Sequence, residues 1–263
     1  MTKKLTFEYE DGEVMRYMRE NVAVIKLKGN VFGGMTDLET VEENFSYYDL
    51  LEEDTNVNAL VVVNEHGIFG EEAYREFLTE IAGKEGTSDN LQNFLEFDKW
   101  IFRAREIRVL QRLVMKMLSF QKICISGLQG TVVTPFFGLS LAADFRFATE
   151  DMRFSLTHAN YGLHPNGALA FFLPRYLPQS LAVKLLLEGG EIPAEQALEL
   201  GLITAILPRK DFETHCIEET QKLCAVNPRV VSMTKPLLYH FKIELQEYFA
   251  TEANLFELKG GKR

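Results

Sequence analysis

The residues of this chain that could do chemistry gather between Gly130 and Pro165. GTVVTPFFGLSLAADFRFATED, residues 130–151, reads as a turn entering a helix, followed by a short aromatic strand. A turn of this kind can aim backbone N–H groups at an oxygen that gains charge, because such fixed dipoles need no reorganisation during reaction. Pro135 carries no N–H, so it either disarms such a site or passes the role to a neighbour. Just beyond stand His158, Asn160 and His164 in THANYGLHP. Histidine is a competent general base near neutral pH, and His158 is the candidate for that role. The alternative is a histidine that fills space and hydrogen-bonds.

The familiar signatures of other chemistries are missing. The sequence holds no G-x-S-x-G elbow, no Walker loop, no G-x-G-x-x-G and no H-E-x-x-H. Its three cysteines, Cys124, Cys216 and Cys224, form neither a C-x-x-C pair nor an even set, which argues against a disulfide framework or a thiolate metal site and fits a reducing compartment. His215 and Cys216 fall on an amphipathic helix without a partner motif, so packing is their expected role. His66 and His164 are read as surface or packing residues.

The elements that must position these residues read as an α/β core. VAVIKL, residues 22–27, and ALVVV, residues 59–63, are β-branched runs typical of buried strands. Between them TDLETVEENFSYYDLLEED is helical, with Leu38, Val41, Phe45 and Tyr48 on one face. From about Asn90 to Leu118 a long helix repeats Ile107, Leu110, Val114, Met117 and Leu118, and Trp100 is expected in its core-facing part. KICISGLQG supplies another strand, and DFRFATEDMRFSL two more around a charged turn. IPAEQALELGLITAILP gives a helix, a stop at Gly201 and a last strand. Beyond Pro208 the strand signals cease and helices follow.

Composition bounds the function. At 263 residues, 46% hydrophobic and 25% charged, the chain is long enough for a substantial core. A net charge of −10 argues against a general nucleic-acid binder, since phosphate contacts need clustered cations. No stretch reaches the roughly 18 apolar residues of a membrane helix, and a cytoplasmic, unanchored protein is the expectation.

One resemblance rests on an ordered series of motifs. KICISGLQG, TVVTPFFGLSLAAD, RFSLTH, YGLHP, LPRYLP and LLLEGGEIPAEQALELGLITAILP follow one another as do the segments of the crotonase, or enoyl-CoA hydratase/isomerase, superfamily. That family's core reads roughly K-P-x-I-A-A-V-x-G, a Gly-Gly-Gly turn and helix ending in a small residue and Asp, then F-x-x-P-E and G-L-x-P. The resemblance is most specific over residues 122–208 and weaker ahead of them, through VAVIKL, ALVVV and Phe69.

What the resemblance implies is a crotonase-like spiral of ββα units over residues 1–207 and a helical C-terminal oligomerisation region over 208–263, assembled as a homotrimer or a dimer of trimers. It implies an acyl-CoA or related carbonyl substrate, with coenzyme A as part of the substrate, no separate cofactor and no metal. In the family two backbone N–H groups hold the thioester oxygen while an enolate forms, and acidic side chains move protons. Here one donor falls on Ala73. The other, the middle glycine of the triple, falls on Pro135, so Phe136 is the neighbour that could supply it. The two carboxylates of hydratases fall on Gly138 and His158, and Asn160 stands where some isomerases carry an acid; it orients substrate or caps a turn. Ordinary hydration is therefore not implied. Lys26, Lys28 and the glycines of KGNVFGGMT correspond to the part of the family that cradles coenzyme A, or are solvated surface. Three function classes follow: an atypical acyl-CoA lyase or isomerase, a carbon–carbon hydrolase acting on a diketone, and a non-catalytic acyl-CoA-binding or assembly protein.

Overall fold

The valine-rich runs become neighbouring strands at the centre of a sheet. The computed structural model describes residues 6–82 and 100–260, with backbone alone for 256–260. Strands β1 (Tyr9–Glu10), β2 (Val14–Arg19) and β3 (Val22–Leu27) form an antiparallel edge. β4 (Ala59–Asn64) lies parallel to β3 in the register Val22↔Ala59 to Leu27↔Asn64. β5 (Ile123–Leu128) continues the parallel part, and β6 (Thr131–Val133) leaves it for a second sheet. β7 (Phe145–Ala148), β8 (Arg153–Ser155), β9 (Glu191–Pro193) and β10 (Ala205–Ile206) complete the set. Among the described residues the larger sheet runs β1-β2-β3-β4-β5-β7-β10 and the smaller β6-β8-β9.

Alternation along the central strands buries both faces of the larger sheet. Val22, Val24, Ala59, Val61, Val63, Ile123 and Ile125 point to one side, where helix α9 (Phe212–Leu223) covers them with Phe212, Cys216 and Ile217. Cys216 thus packs, as the sequence suggests. Ala23, Leu60 and Cys124 point the other way into the main core. That core is closed by α2 (Leu38–Glu53), α3 (Glu71–Ala82), α4 (Trp100–Ser119) and α5 (Thr134–Ser140), with the four-residue α1 (Val31–Gly34) tucked against α3.

The helical readings hold with two corrections. Val41, Phe45 and Tyr48 are buried, but Leu38 is 56% exposed because it opens α2, before the apolar stripe reaches the core. Trp100, expected inside, is 54% exposed for the same reason at the first residue of α4. Residues 90–99 of that expected helix lie outside the described residues. Gly201 does stop a helix: it follows α8 (Ala194–Glu199) with a φ of +70°. α6 (Leu169–Tyr176) and α7 (Gln179–Glu188) precede β9, while α10 (Pro228–Leu238) and α11 (Lys242–Gly260) end the described chain.

One carboxylate ties helix α10 to the sheet. Asp144, between α5 and β7, accepts the Cys124 N–H at 2.7 Å, the Lys235 ammonium at 2.5 Å and the Tyr239 hydroxyl at 2.6 Å. The side chains of Lys235 and Asp144 are only 6% and 11% exposed. Removing one member of a buried ion pair strands the other without water. Asp144→Ala is therefore expected to lower unfolding free energy by about 3–5 kcal/mol, while Tyr239→Phe, which removes a single hydrogen bond, lowers it by about 1 kcal/mol. Urea denaturation followed by circular dichroism checks both, and equal effects would remove the central role given to Asp144.

Candidate functional site

Two chain segments bring helix starts side by side. The first runs from the end of β4 through Phe69 into α3, whose first turn contains Glu71, Glu72 and Ala73. The first four N–H groups of a helix have no internal acceptor, so the Ala73 N–H is one of the α3 orphans. The second segment runs from β6 into α5, where Pro135 stands in the first turn. A proline there loses an N–H that the helix does not use, which is why the fold accepts it, and Phe136 carries the next N–H. The segments are clamped by the Val133 N–H donating to the Phe69 carbonyl at 2.9 Å and by the Phe69 and Phe136 rings stacked at 3.8 Å.

An aromatic side chain from α1 covers this junction. Phe32 is wholly buried, 5.0 Å from the Tyr74 ring and 5.0 Å from the Phe136 ring. The glycines around it serve a tight turn in which Asn30 Oδ1 accepts the Gly33 N–H at 2.9 Å. Lys26 lies between Glu213 at 3.1 Å and Glu65 at 3.6 Å, and Lys28 meets Glu10 at 2.8 Å. Both lysines are thus tied to the chain's own carboxylates.

Gly138 has no room for a side chain. A Cβ there would lie 2.3 Å from the Gly167 carbonyl oxygen and 2.9 Å from the Leu169 nitrogen. The contact is reciprocal, since a Cβ on Gly167 would lie 2.3 Å from the Pro135 carbonyl oxygen. Two glycines thus let α5 and the turn before α6 touch backbone to backbone, leaving no seat for a carboxylate at residue 138.

His158 is 2% exposed and both ring nitrogens are engaged. The Leu186 carbonyl, which can only accept, lies 2.9 Å from Nε2, so the proton sits on Nε2. Nδ1 then accepts the Thr134 hydroxyl at 2.8 Å. Burial lowers the imidazole pKa, the Leu186 bond partly offsets this, and the Arg103 charge lowers it further. In this geometry His158 has no lone pair left for a substrate proton. Asn160 lies exposed in the following turn, where its N–H donates to the Thr157 carbonyl at 3.0 Å. His66 is 3.1 Å from Asp151 at the surface, and His164 is half-buried, 3.6 Å from Glu252. At the mouth of the site Glu71 accepts the Ser155 hydroxyl at 2.6 Å.

Sequence reading misses a second group of polar residues. Arg103 and Glu106 of α4 form a buried ion pair at 2.5 Å; Arg103 also donates to the Tyr74 hydroxyl at 2.9 Å, and Asn166 donates to Glu106 at 3.1 Å. Burial pulls the Arg103 pKa down, but Glu106 and Tyr74 outweigh it and hold the guanidinium firmly charged. Nearby, burial pushes the Glu252 carboxyl of α11 up to about 7, against the hydrogen bond from Gln111 and the charge of Arg103. A signal for this group exists in the sequence: Arg103 continues the apolar stripe of Ile107, Leu110 and Val114 toward the N-terminus, and a charge on such a stripe demands a buried partner. Among the described residues no cluster of His, Cys, Asp and Glu could hold a metal ion, and no helix is long and apolar enough to cross a membrane. A cavity of about 320 Å³ opens at the opposite end of the sheet, beside Asn58, Lys122 and Pro228, away from the expected site residues.

Comparison with known proteins agrees with this frame. Residues 18–262 match the family model described as enoyl-CoA hydratase/isomerase. A probable enoyl-CoA hydratase of Bacillus subtilis is 28% identical over 207 residues, 77% of this chain and 73% of that protein. A 4-chlorobenzoyl coenzyme A dehalogenase of an Arthrobacter species is 24% identical over 88% of this chain and 76% of its own length. The crystal structure of an enoyl-CoA hydratase from Bacillus halodurans superposes with a TM-score of 0.75 at 21% identity, covering 94% of each chain. The α/β fold expected from the ordered motifs is the one found.

Two measurements check the geometry. Gly138→Ala forces backbone apart and is expected to destabilise the protein by about 1–3 kcal/mol, with Gly138→Glu failing to fold; a folded, stable Gly138→Glu would mean that the contact with Gly167 is not fixed. For Glu252 the folded pKa of about 7 lies above the ordinary value of 4.5, so the folded state holds this proton more tightly than the unfolded. Its contribution to stability is full below that ordinary value and is lost as pH rises through about 7. Replacing it, Glu252→Gln, is expected to flatten the loss of stability across that window.

Proposed function

The chain belongs to the enoyl-CoA hydratase/isomerase family, and from that premise we propose that it binds an acyl-CoA thioester or related carbonyl compound and polarises the carbonyl without hydrating a double bond. The observation that carries this reading is the backbone contact between Gly138 and Gly167, which leaves no space for a water-activating carboxylate. The oxygen would sit between the Ala73 and Phe136 N–H groups, whose dipoles oppose the charge of a forming enolate. His158 positions rather than transfers protons: it links Thr134, at the start of α5, to the Leu186 carbonyl. This weakens the diketone-hydrolase alternative, which needs a free histidine. A relative named for dehalogenation of a coenzyme A ester fits a family in which thioester binding outlasts any one reaction.

Phe32 favours a second reading, that of an acyl-CoA-binding or assembly protein without turnover. Its ring lies against both the residue after Ala73 and Phe136 itself, over the junction where a carbonyl would enter. Assembly has its own surface. On α10, Val230, Met233 and Leu237 are 55%, 62% and 79% exposed at helical spacing, and Leu238 and Ile243 extend the patch. We assign this face of the C-terminal region to contacts in a homotrimer or dimer of trimers. The three free cysteines fit a cytoplasmic setting.

Crotonyl-CoA is expected to bind without being hydrated at rates of about 10–10³ s⁻¹ typical of good enzymes. Absence of a general acid or base lowers the rate by about 10²–10⁴-fold. Calorimetry with coenzyme A, acyl-CoAs and cyclic diketones, beside an ultraviolet hydration assay, measures binding and turnover separately. Rapid hydration would overturn the reading. Light scattering is expected to show a trimer or hexamer that Leu237→Asp dissociates, and a monomeric wild type at micromolar concentration would end the assembly reading.

A further inference from the structure

Five side chains from four parts of the fold build a polar layer inside the core. Tyr74 comes from α3, Arg103 and Glu106 from α4, Asn166 from the turn before α6 and Glu252 from α11, and none is more than 5% exposed. Both oxygens of Glu106 are held, one by Arg103 Nη1 and one by Asn166 Nδ2. Glu252 gives its Oε2 to Gln111 Nε2 at 2.7 Å. Two atoms of these side chains are nevertheless buried without a hydrogen-bond partner, Arg103 Nη2 and Asn166 Oδ1, while Glu252 Oε1 faces His164 Nε2 at 3.6 Å. An unpaired buried polar atom is costly, and two in one layer imply that another polar group completes it.

Their chemistry narrows that group. Arg103 Nη2 can only donate, while Asn166 Oδ1 can only accept. A single group that meets both would accept and donate at once, as a hydroxyl does. A carboxylate fits poorly, because Glu106 already pairs with the Arg103 charge and a second buried acid beside it would be repelled.

The layer also adjoins the proposed carbonyl site from both sides. Tyr74 directly follows Ala73 and receives Arg103 Nη1, and Asn166 directly precedes Gly167, whose backbone lies against the Pro135 carbonyl. We infer that this layer is the far end of the acyl subsite and takes an acyl group carrying a hydroxyl remote from its carbonyl. The inference rests on the thioester reading above.

The test is calorimetric titration of the full chain with coenzyme A esters in matched trios of equal carbon number, from four to six: plain acyl, ω-hydroxyacyl and ω-carboxyacyl. The ω-hydroxy ester is expected to bind about tenfold more tightly than the plain ester at one of these lengths, the size of one well-formed hydrogen bond. The ω-carboxy ester is expected to bind no better than the plain one. Asn166→Ala is expected to bring the hydroxy-to-plain ratio toward one; the wild-type ratio stands as a test even if that variant does not fold. Equal affinity for hydroxy and plain esters at every length would mean that buried water alone completes the layer, and the inference fails. Preference for the carboxy ester overturns it as well. If no ester of any kind binds, the thioester reading itself fails, an outcome distinct from the loss of hydroxyl preference.

Discussion

A guanidinium is costly to bury without acceptors, and Arg103 draws its partners from several elements of this interior. Arg103 enters the core on the apolar stripe of α4 and draws Glu106 from the next turn, Tyr74 from α3 and, through Glu106, Asn166 from the turn before α6. Those partners set where α3 begins relative to α5, because Tyr74 is the neighbour of Ala73. The charge of Arg103 reaches His158 and Glu252 too. One buried cation thus links the elements that carry the expected carbonyl site to the last helix of the described chain. Such a pair adds little net stability over apolar packing, yet breaking it is costly, so its effect is to fix geometry.

Much of the frame is legible in the sequence because it depends on local pattern. The β-branched runs at β3, β4 and β5, the helical period of α2 and the glycine that ends α8 are each decided by neighbours a few residues away. The order of motifs from Lys122 to Pro208 locates the start of α5, and the weaker resemblance through Phe69 that of α3. What is not legible depends on residues distant in the chain. Asn166 and Glu106 lie 60 positions apart, and no periodicity announces their bond. The two nitrogens of His158 are occupied by Thr134 and by a main-chain carbonyl at Leu186, and a main-chain acceptor leaves no trace in residue type. Leu38 and Trp100 show the limit of helical patterning, which assigns a face without saying where along the helix the core begins.

The electrostatics of the entrance follow from the acidic composition. Lys26 and Lys28, which lie at the start of the segment expected to cradle coenzyme A, are balanced by Glu213, Glu65 and Glu10. Glu71 and Glu72 occupy the first turn of α3, where acids favour the helix dipole but oppose an incoming anion. On the reading proposed above, a carbonyl there would be held by directed N–H groups rather than by an attractive field. Phe32 adds an apolar cover, so this part of the molecule is organised by shape and hydrogen-bond direction more than by charge.

The paired glycines at 138 and 167 carry a consequence for how sequences of this kind can change. A side chain at either position meets main chain, Gly167 itself for residue 138 and Pro135 for residue 167, and Gly167 and Ala168 both hold left-handed φ values, +66° and +61°. A lineage that closed these backbones together could not reopen a carboxylate seat by one substitution, since the first step from either glycine meets a carbonyl oxygen. The turn would have to be remodelled before the acid arrived, through intermediates that gain nothing from the change. The contact therefore closes both positions to any side chain by single steps.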